Sequence, residues 1–287
     1  MLTSTTFSAR RALHPCPPAE SAGAHIEGEG TAIVLLHSAM SSRKQWREIF
    51  HAMRGTHRLI AIDLLGYGDV PSPKWPGWYS LDDEVRRVES VLASQLRADE
   101  RFHLVGHSYG GVVGLQLAQA TPQRLRSLTL FEPILFHLLP DHDPVVAELL
   151  AVRRQVEASL RGGDFFRGTA AFVDYWSGRG AFSRMPPERQ ASLSKLLPKT
   201  LLEIRAVAGA TPRGDNYRRI DVPTCLMTGR LSPRAAHLAS EILASLIPQA
   251  RELQVDAGHM APATHPQLVN PLIERFIHAV ESAGKNV

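Results

Sequence analysis

Leu104-Val105-Gly106-His107-Ser108-Tyr109-Gly110-Gly111 is the stretch of this sequence that decides the fold. It reads Gly-x-Ser-x-Gly, follows an apolar run over residues 102–105 and precedes a helical pattern over residues 112–120. Strand, tight turn and helix in this order hold a serine on a sharp turn above a parallel sheet. The flanking glycines leave room for strand and helix to pass while the serine adopts a strained backbone conformation. The pattern therefore predicts that Ser108 is a nucleophile.

Apolar runs alternate with helical patterns on both sides of this turn. Further strands are predicted at residues 31–36, 57–62, 125–131, 222–228 and 251–255, and weaker edge strands at residues 3–8 and 24–27. Helices are predicted after a cap at Ser41 or Ser42, and near residues 80–97, 233–245 and 266–281. Such alternation predicts an α/β fold, with a mostly parallel, doubly wound sheet and helices on both faces.

The alternation stops between residues 134 and 219, where the pattern is mostly helical and contains no convincing strand. We interpret this segment as a helical cap inserted over the carboxyl edge of the sheet. Residues 1–133 and 220–287 would then form the core. The segment is rich in aromatic residues, most of which we expect to form the cap's own core: Phe136, Phe165, Phe166, Phe172, Tyr175, Trp176 and Phe182.

Bulk composition limits the class of protein. The chain has 287 residues, 44% of them hydrophobic and 21% charged, which suits one large α/β domain or a domain with an insertion. Its net charge of +4 is spread in short basic pairs, so we expect no nucleic-acid partner. Cys16 and Cys225 lack metal-ligand spacing, and we expect no disulfide. With no membrane-length apolar run and no signal-peptide pattern, a cytoplasmic location is expected, as a monomer or a homodimer.

A serine hydroxyl needs a base within hydrogen-bond reach, and that base needs an orienting acceptor. His259 is favoured among 13 histidines because it follows the last strand, comes after a glycine and lies after the serine in chain order. His107 should pack or hydrogen-bond locally, with its side chain pointing away from that of Ser108. His37 should brace the loop beside it. Asp63 is expected to cap the turn that follows it.

An oxyanion hole in such a fold uses two backbone N–H groups. The first is predicted to be that of Tyr109, directly after the nucleophile. The second is predicted in the loop after residues 31–36, at Ala39. An ordinary loop leading into a helix remains the alternative for that segment. The aromatic residues Trp75, Trp78 and Tyr79 would line a pocket wall or anchor their own loop.

The chain resembles the α/β-hydrolase fold enzymes from residue 31 to its C-terminus. The motifs appear in the family's order: Leu35-Leu36-His37-Ser38, Asp63-x-x-Gly66-x-Gly68, Gly106-x-Ser108-x-Gly110 and Gly258-His259-Met260, followed by His265-Pro266. The family's cap follows its sixth strand, which fits residues 134–219. The resemblance implies Ser108 as nucleophile and His259 as base, with no metal and no organic cofactor.

Two departures from the family pattern concern the site. Ser38 stands where the family usually has glycine after the histidine. Most members carry an Asp in the motif Gly-x-x-Asp shortly after the seventh strand of the family's sheet. In this chain the motif reads Gly229-Arg230-Leu231-Ser232, so that Ser232 replaces the acid. Glu132, at the end of the preceding strand, is a carboxylate that could serve, and a subset of the family places its acid there. The open alternatives are that Glu132 pairs with a cap arginine, or that Asp256 or Asp141 serves.

The expected function is that of a serine hydrolase, of the carboxylesterase type (EC 3.1.1), which cleaves a small apolar or aromatic ester. Hydrolysis of a carbon–carbon bond, a lactone or a thioester could use the same triad. A non-catalytic ligand-binding member of the fold is the alternative from another class, because the usual acid is missing. Dehalogenase and epoxide-hydrolase chemistry are disfavoured, since those enzymes use Asp where this chain has Ser108.

Overall fold

The strands follow the apolar runs of the sequence. The computed structural model describes residues 23–73, 79–210 and 214–284. Its strands are β1 (Ala24–Glu27), β2 (Thr31–Leu36), β3 (His57–Ile62), β4 (Phe102–His107), β5 (Leu125–Phe131), β6 (Thr224–Gly229) and β7 (Ala250–Val255). The predicted edge strand at 24–27 is confirmed, whereas the one predicted at residues 3–8 lies outside the described residues.

The described strands form one sheet in the order β1-β3-β2-β4-β5-β6-β7. All neighbours pair in parallel except β1, which lies antiparallel to β3. Residues 32–36 of β2 are fully buried, as expected for a strand covered on both faces. The α/β class with a mostly parallel sheet is confirmed, and the described residues contribute seven strands where the resemblance implied an eight-stranded type.

Helices cover both faces of the sheet. Those before β6 are α1 (Arg47–Met53), α2 (Leu81–Gln95), α3 (Tyr109–Ala120), α4 (Pro144–Arg161), α5 (Phe165–Ser177), α6 (Pro187–Ser194), α7 (Leu197–Ala208) and α8 (Gly214–Arg218). Those after it are α9 (Arg234–Leu246), α10 (Ala261–Thr264) and α11 (Pro266–Gly284). Ser42 stands at the start of the short 3₁₀ turn before α1, but its side chain makes no capping hydrogen bond.

Helices α4 to α8 all lie between β5 and β6, and the described residues of that segment contain no strand. A small apolar cluster joins several of these helices to Met40 of the β2–α1 loop. Trp176 and Val207, by contrast, pack into the main core. The division into a core of residues 1–133 and 220–287 and a cap of residues 134–219 stays a prediction.

Two sequence-level expectations concern cysteine and membranes. Cys225 is buried and carries a free thiol, while Cys16 lies outside the described residues. Within the described segments, no helix combines the length and the apolar character that crossing a bilayer requires.

Candidate active site

The turn between β4 and α3 presents Ser108 at the carboxyl edge of the sheet. Its backbone has φ of 54° and ψ of −116°, a strained conformation for a residue with a side chain. A Cβ atom on Gly106 would lie 2.7 Å from the Gly110 carbonyl oxygen, and one on Gly110 would lie 2.4 Å from the His37 carbonyl oxygen. Steric crowding therefore requires glycine on both sides of the serine, as the motif predicts.

His259 lies beside this serine, although 151 residues separate the two in sequence. The distance between His259 Nε2 and Ser108 Oγ is 2.9 Å. The loop after β7 is fixed by His107, whose Nε2 donates to the His259 carbonyl oxygen at 2.8 Å. Burial lowers the pKa of His107 well below its usual value, so its ring is neutral and keeps one N–H for this bond. His107 thus points away from Ser108 and anchors the loop that carries His259.

Glu132 holds the other side of the imidazole. Its Oε2 accepts from His259 Nδ1 at 2.6 Å, and its Oε1 accepts from the Gly229 backbone N–H at 2.6 Å. The side chain is fully buried, and the backbone has a positive φ of 44°, which turns the residue out of the strand direction. The carboxylate at the end of β5 therefore reaches the end of β6, where the family usually carries its acid.

The other candidates do not occupy this position. Asp256 Oδ1 accepts from Arg230 at 2.5 Å on the surface, and Asp141 is exposed. The Ser232 Oγ atom is buried and has no hydrogen-bond partner among the described residues. Glu132 is thus the carboxylate that contacts His259, and its hydrogen bonds join it to the imidazole and to the backbone of β6.

The two residues predicted to supply the oxyanion hole, Ala39 and Tyr109, both lie close to Ser108 in the fold. Ala39 lines the same cavity as Ser108, and Tyr109 begins α3. Within the described residues, neither N–H takes part in a hydrogen bond, whereas the neighbouring Met40 N–H donates to Tyr67 Oη at 3.0 Å. The Ala39 N–H therefore remains available to a ligand in this cavity.

His37 braces this loop from below. Its Nε2 accepts from the Leu64 N–H at 3.1 Å, and its Nδ1 donates to the Ser38 carbonyl oxygen at 2.7 Å. Burial lowers the pKa of His37 to about 4, so the ring is neutral at neutral pH and can donate with one nitrogen and accept with the other. The predicted bracing role of His37 is confirmed.

A cavity of about 540 Å³ opens above Ser108 and His259. Helix α5 supplies part of its wall, with Phe172, Val173 and Trp176. The indole of Trp176 lies over the imidazole of His259, with ring centroids 4.4 Å apart. Some of the aromatic residues of this segment therefore line the cavity as well as packing against neighbouring helices. Phe166 is 49% exposed and contributes little to a core.

Sequence analysis missed a buried cluster of charges on the opposite side of Ser108. Lys199 of α7 donates to Tyr79 Oη at 2.7 Å, to Glu84 at 3.0 Å and to Glu203 at 2.8 Å. The Tyr79 and Tyr109 hydroxyls are 2.5 Å apart, so the cluster extends to the residue after the nucleophile. Burial raises the pKa of Glu203, although Lys199 opposes this effect.

A signal for this cluster existed in helix periodicity. Glu84 falls on the buried face of α2 among Leu81, Val85 and Val88, where an apolar residue is expected. A carboxylate at such a position requires a partner, because an unpaired buried charge is strongly disfavoured. The sequence therefore indicates that Glu84 needs a partner, but it does not identify that partner as Lys199, which is 115 residues away.

Asp63 and the aromatic residues of the loop before α2 were also assigned roles from the sequence. The prediction that Asp63 caps its following turn is wrong: its Oδ1 accepts from the Arg43 N–H at 2.7 Å, and its carboxylate pairs with the Arg43 guanidinium. The apolar environment at the end of β3 explains this, since a fully buried carboxylate needs a cation. Tyr79 anchors its loop through the Lys199 cluster, while Trp75 and Trp78 lie outside the described residues.

Comparison with known proteins identifies the family of the fold. The sequence profile described as alpha/beta hydrolase fold matches residues 31–266, most of the chain. The chain belongs to the alpha/beta hydrolase fold family. The mostly parallel sheet with flanking helices is consistent with an α/β-hydrolase fold, and hydrolases and esterases are among its relatives.

Individual relatives differ in how much of the chain they match. A cis-3-alkyl-4-alkyloxetan-2-one decarboxylase of Shewanella oneidensis is 31% identical over 51% of this chain and only 46% of its own length. A pimeloyl-(acyl-carrier protein) methyl ester esterase of Aeromonas hydrophila is 26% identical over 87% of this chain and 96% of its own. The structure of an esterase from Thermogutta terrifontis superposes with a TM-score of 0.70 and 22% identity, covering 90% of this chain and 93% of that one.

Proposed function

We propose that this protein is a serine hydrolase that cleaves a carboxylic ester or a related acyl compound, as a carboxylesterase does. The observation that carries the proposal is the continuous contact from Ser108 Oγ to His259 Nε2, at 2.9 Å, and from His259 Nδ1 to Glu132 Oε2, at 2.6 Å. A nucleophile, a base and an orienting carboxylate in this geometry are what activation of a serine hydroxyl requires.

In the proposed reaction, His259 Nε2 accepts the proton of the Ser108 hydroxyl while Oγ attacks the carbonyl carbon. The resulting oxyanion is stabilised by the N–H groups of Ala39 and Tyr109. Glu132 accepts a hydrogen bond from Nδ1–H and stabilises the imidazolium. The imidazolium then gives its proton to the departing alkoxide, which leaves an acyl group on Ser108.

The second half of the reaction consumes one water molecule. His259 takes a proton from the water, whose oxygen attacks the acyl carbon. The imidazolium returns that proton to Ser108 Oγ as the acid product leaves. Each step uses groups of this chain and water.

The cavity supports a small apolar or aromatic substrate. Its wall includes Phe172, Val173, Trp176, Leu193 and Leu231, so most of the surface that a ligand would contact is hydrocarbon. A volume of about 540 Å³ lies within the range typical of small-molecule sites. Esters with a short acyl chain or an aryl group fit this lining, and the same triad would accept lactones, thioesters or carbon–carbon cleavage substrates that fit the space.

Labelling with a fluorophosphonate probe tests the reaction class. The wild-type protein should react covalently at Ser108, because the probe requires an activated serine. The Ser108→Ala and His259→Ala variants should stay unlabelled. An unlabelled wild-type protein that retains its fold would identify a ligand-binding member of the family instead and would overturn the proposal.

Substrate range is tested with p-nitrophenyl esters of increasing acyl length. We expect kcat/KM to be highest for short or aromatic acyl groups and to fall once the chain exceeds the cavity. A labelled protein that hydrolyses none of these esters would keep the activated serine but point to one of the other acyl or carbon–carbon substrates.

A further inference from the structure

A second group of histidines lies at the opposite edge of the sheet, near the amino ends of the strands. Strand pairing places His57 of β3 beside Thr31, and His103 of β4 beside Ile33. Thr31 and Ile33 are two residues apart on β2, so all of these side chains project from the same face of the sheet. His103 is separated from Ser108 by about 16 Å of extended strand, which places this group well away from the candidate active site.

Helix α11 covers this face and contributes two more polar side chains. His278 and Glu281 are three residues apart and therefore share one side of the helix. The ligand atoms of His57, His278 and Glu281 all lie within 4.8 Å of one another. The rings of His57 and His278 stack with centroids 5.5 Å apart, and His57 Nε2 lies 3.3 Å from Glu281 Oε2.

Contacts on both ring nitrogens hold the His57 side chain in place. Thr56 Oγ1 lies 2.8 Å from Nδ1, and Nε2 lies 3.3 Å from Glu281 Oε2. An imidazole nitrogen and a carboxylate oxygen, both of which are common metal ligands, therefore face each other. A partner on the second ring nitrogen is also how metal-binding histidines are normally oriented.

His103 supplies an independent observation. Its side chain is fully buried, and its Nδ1 is bonded to Ser127 Oγ at 2.7 Å. Its Nε2 has no hydrogen-bond partner among the described residues and lies 3.6 Å from Glu281 Oε1. A buried ring nitrogen without a partner requires an explanation, and an ion is one of the few available.

We propose that His57, His278 and Glu281 form a binding site for a divalent transition-metal ion such as Zn²⁺, beside the unpartnered Nε2 of His103. Imidazole nitrogen with one carboxylate oxygen is a donor set suited to zinc, nickel or copper and poorly suited to magnesium or calcium. Tetrahedral zinc ligands lie about 3.4 Å apart, so the site must contract on binding. The exposed His278 side chain can make that movement.

Such an ion would join α11 to the amino ends of β3 and β4. Because it binds the folded chain through residues 57 and 278, it would stabilise the native state. It would not take part in the proposed reaction at Ser108, and the two proposals can fail separately.

Titration of the full chain with ZnCl₂ in a calorimeter tests the site. The wild-type protein should bind one zinc ion per chain with a dissociation constant in the micromolar range or below, and its Tm should rise with added ZnCl₂ but not with MgCl₂. His278→Ala should weaken binding at least tenfold, because it removes one of three ligands. His51→Ala is the matched control, since His51 is also exposed on a helix of this face, and it should leave zinc affinity unchanged.

Glu281→Gln provides a second variant that keeps the side-chain shape. This variant should also bind zinc at least tenfold more weakly, and added ZnCl₂ should no longer raise its Tm. Absence of stoichiometric zinc binding in the wild-type protein would show that His57 and Glu281 form only a hydrogen bond to each other and would overturn the proposal. Equal zinc affinity in the wild type and in both variants would place any zinc elsewhere, with the same consequence.

Discussion

Two groups of buried ionisable side chains lie on either side of Ser108, and they differ in what they contact. On one side, His259 lines the cavity within reach of the serine hydroxyl, and the buried Glu132 bonds its other ring nitrogen. On the other, Lys199 lies between Glu84 and Glu203, beneath tyrosine rings. Burial of charge alone therefore does not identify a catalytic group; contact with the nucleophile and with a cavity does.

The two groups also differ in what they join. Glu132 connects strands of the sheet, since its carboxylate bonds the end of β6 and the loop after β7. Lys199 connects a helix of the inserted segment to α2 and to the loop before it. We infer that the first group mainly serves the reaction, whereas the second mainly holds the inserted helices on the sheet. The following changes test this contrast.

Glu132→Gln should have the largest effect on turnover. The glutamine amide cannot stabilise an imidazolium, and it presents an N–H group where His259 needs an acceptor. We expect kcat for a p-nitrophenyl ester to fall on the order of 10⁴. Circular dichroism should show an unchanged fold. Asp256→Asn is the matched control because Asp256 is exposed and paired with Arg230, and it should alter kcat little. If the two results were exchanged, the acid would be misassigned.

Lys199→Met should mainly lower stability. The variant leaves Glu84 and Glu203 buried without their cation, and breaking a buried pair in this way costs about 3–5 kcal/mol of unfolding free energy. Urea denaturation measures the loss. Arg205→Met in the same helix changes an exposed ion pair with Glu157 and should cost at most about 1 kcal/mol. Equal losses for the two variants would contradict a fastening role for Lys199.

The stability of the folded chain should fall on mild acidification. His37 has a folded pKa of about 4, lowered by burial, against an unfolded value near 6.5. Between these values the unfolded chain binds a proton that the folded chain excludes, so stability is fully present above pH 6.5 and is lost as pH falls towards 4. This group alone accounts for about 3 kcal/mol. Urea denaturation between pH 7 and pH 4 should show a smaller loss in His37→Gln; an equal loss in both proteins would refute the assignment.

Ser232→Ala should have the smallest effect. Ser232 occupies the usual position of the family's acid, but its hydroxyl has no partner in the described part of the chain. Removing an unpaired polar atom should change stability by less than about 1 kcal/mol. Turnover of a p-nitrophenyl ester should stay within a factor of about two, since His259 is already oriented by Glu132. A large loss of turnover would mean that Ser232 and not Glu132 orients the base.

Prediction from the sequence succeeded where a property is local. The bounds of β2, β3 and β5 agree with the predicted strands to the residue, because strands covered on both faces are mostly apolar runs. The crowding that requires Gly106 is also local, because a Cβ atom there would meet the Gly110 carbonyl oxygen of the same turn. The role of Asp63 was mispredicted because its partner, Arg43, precedes it by 20 residues in a loop without a pattern of its own.

The sequence by itself determined the α/β class, the order of its elements and the turn that exposes Ser108, since periodicity and sterics act between near neighbours in the chain. Only the tertiary structure decided which carboxylate meets His259, because Glu132 reaches it across 127 residues through the meeting of two strand ends. The same holds for the Lys199 cluster and for the histidines around Glu281. Each of these contacts depends on how strands and helices pack. Packing brings together side chains that are far apart in sequence, and no local pattern of residues predicts which of them will meet.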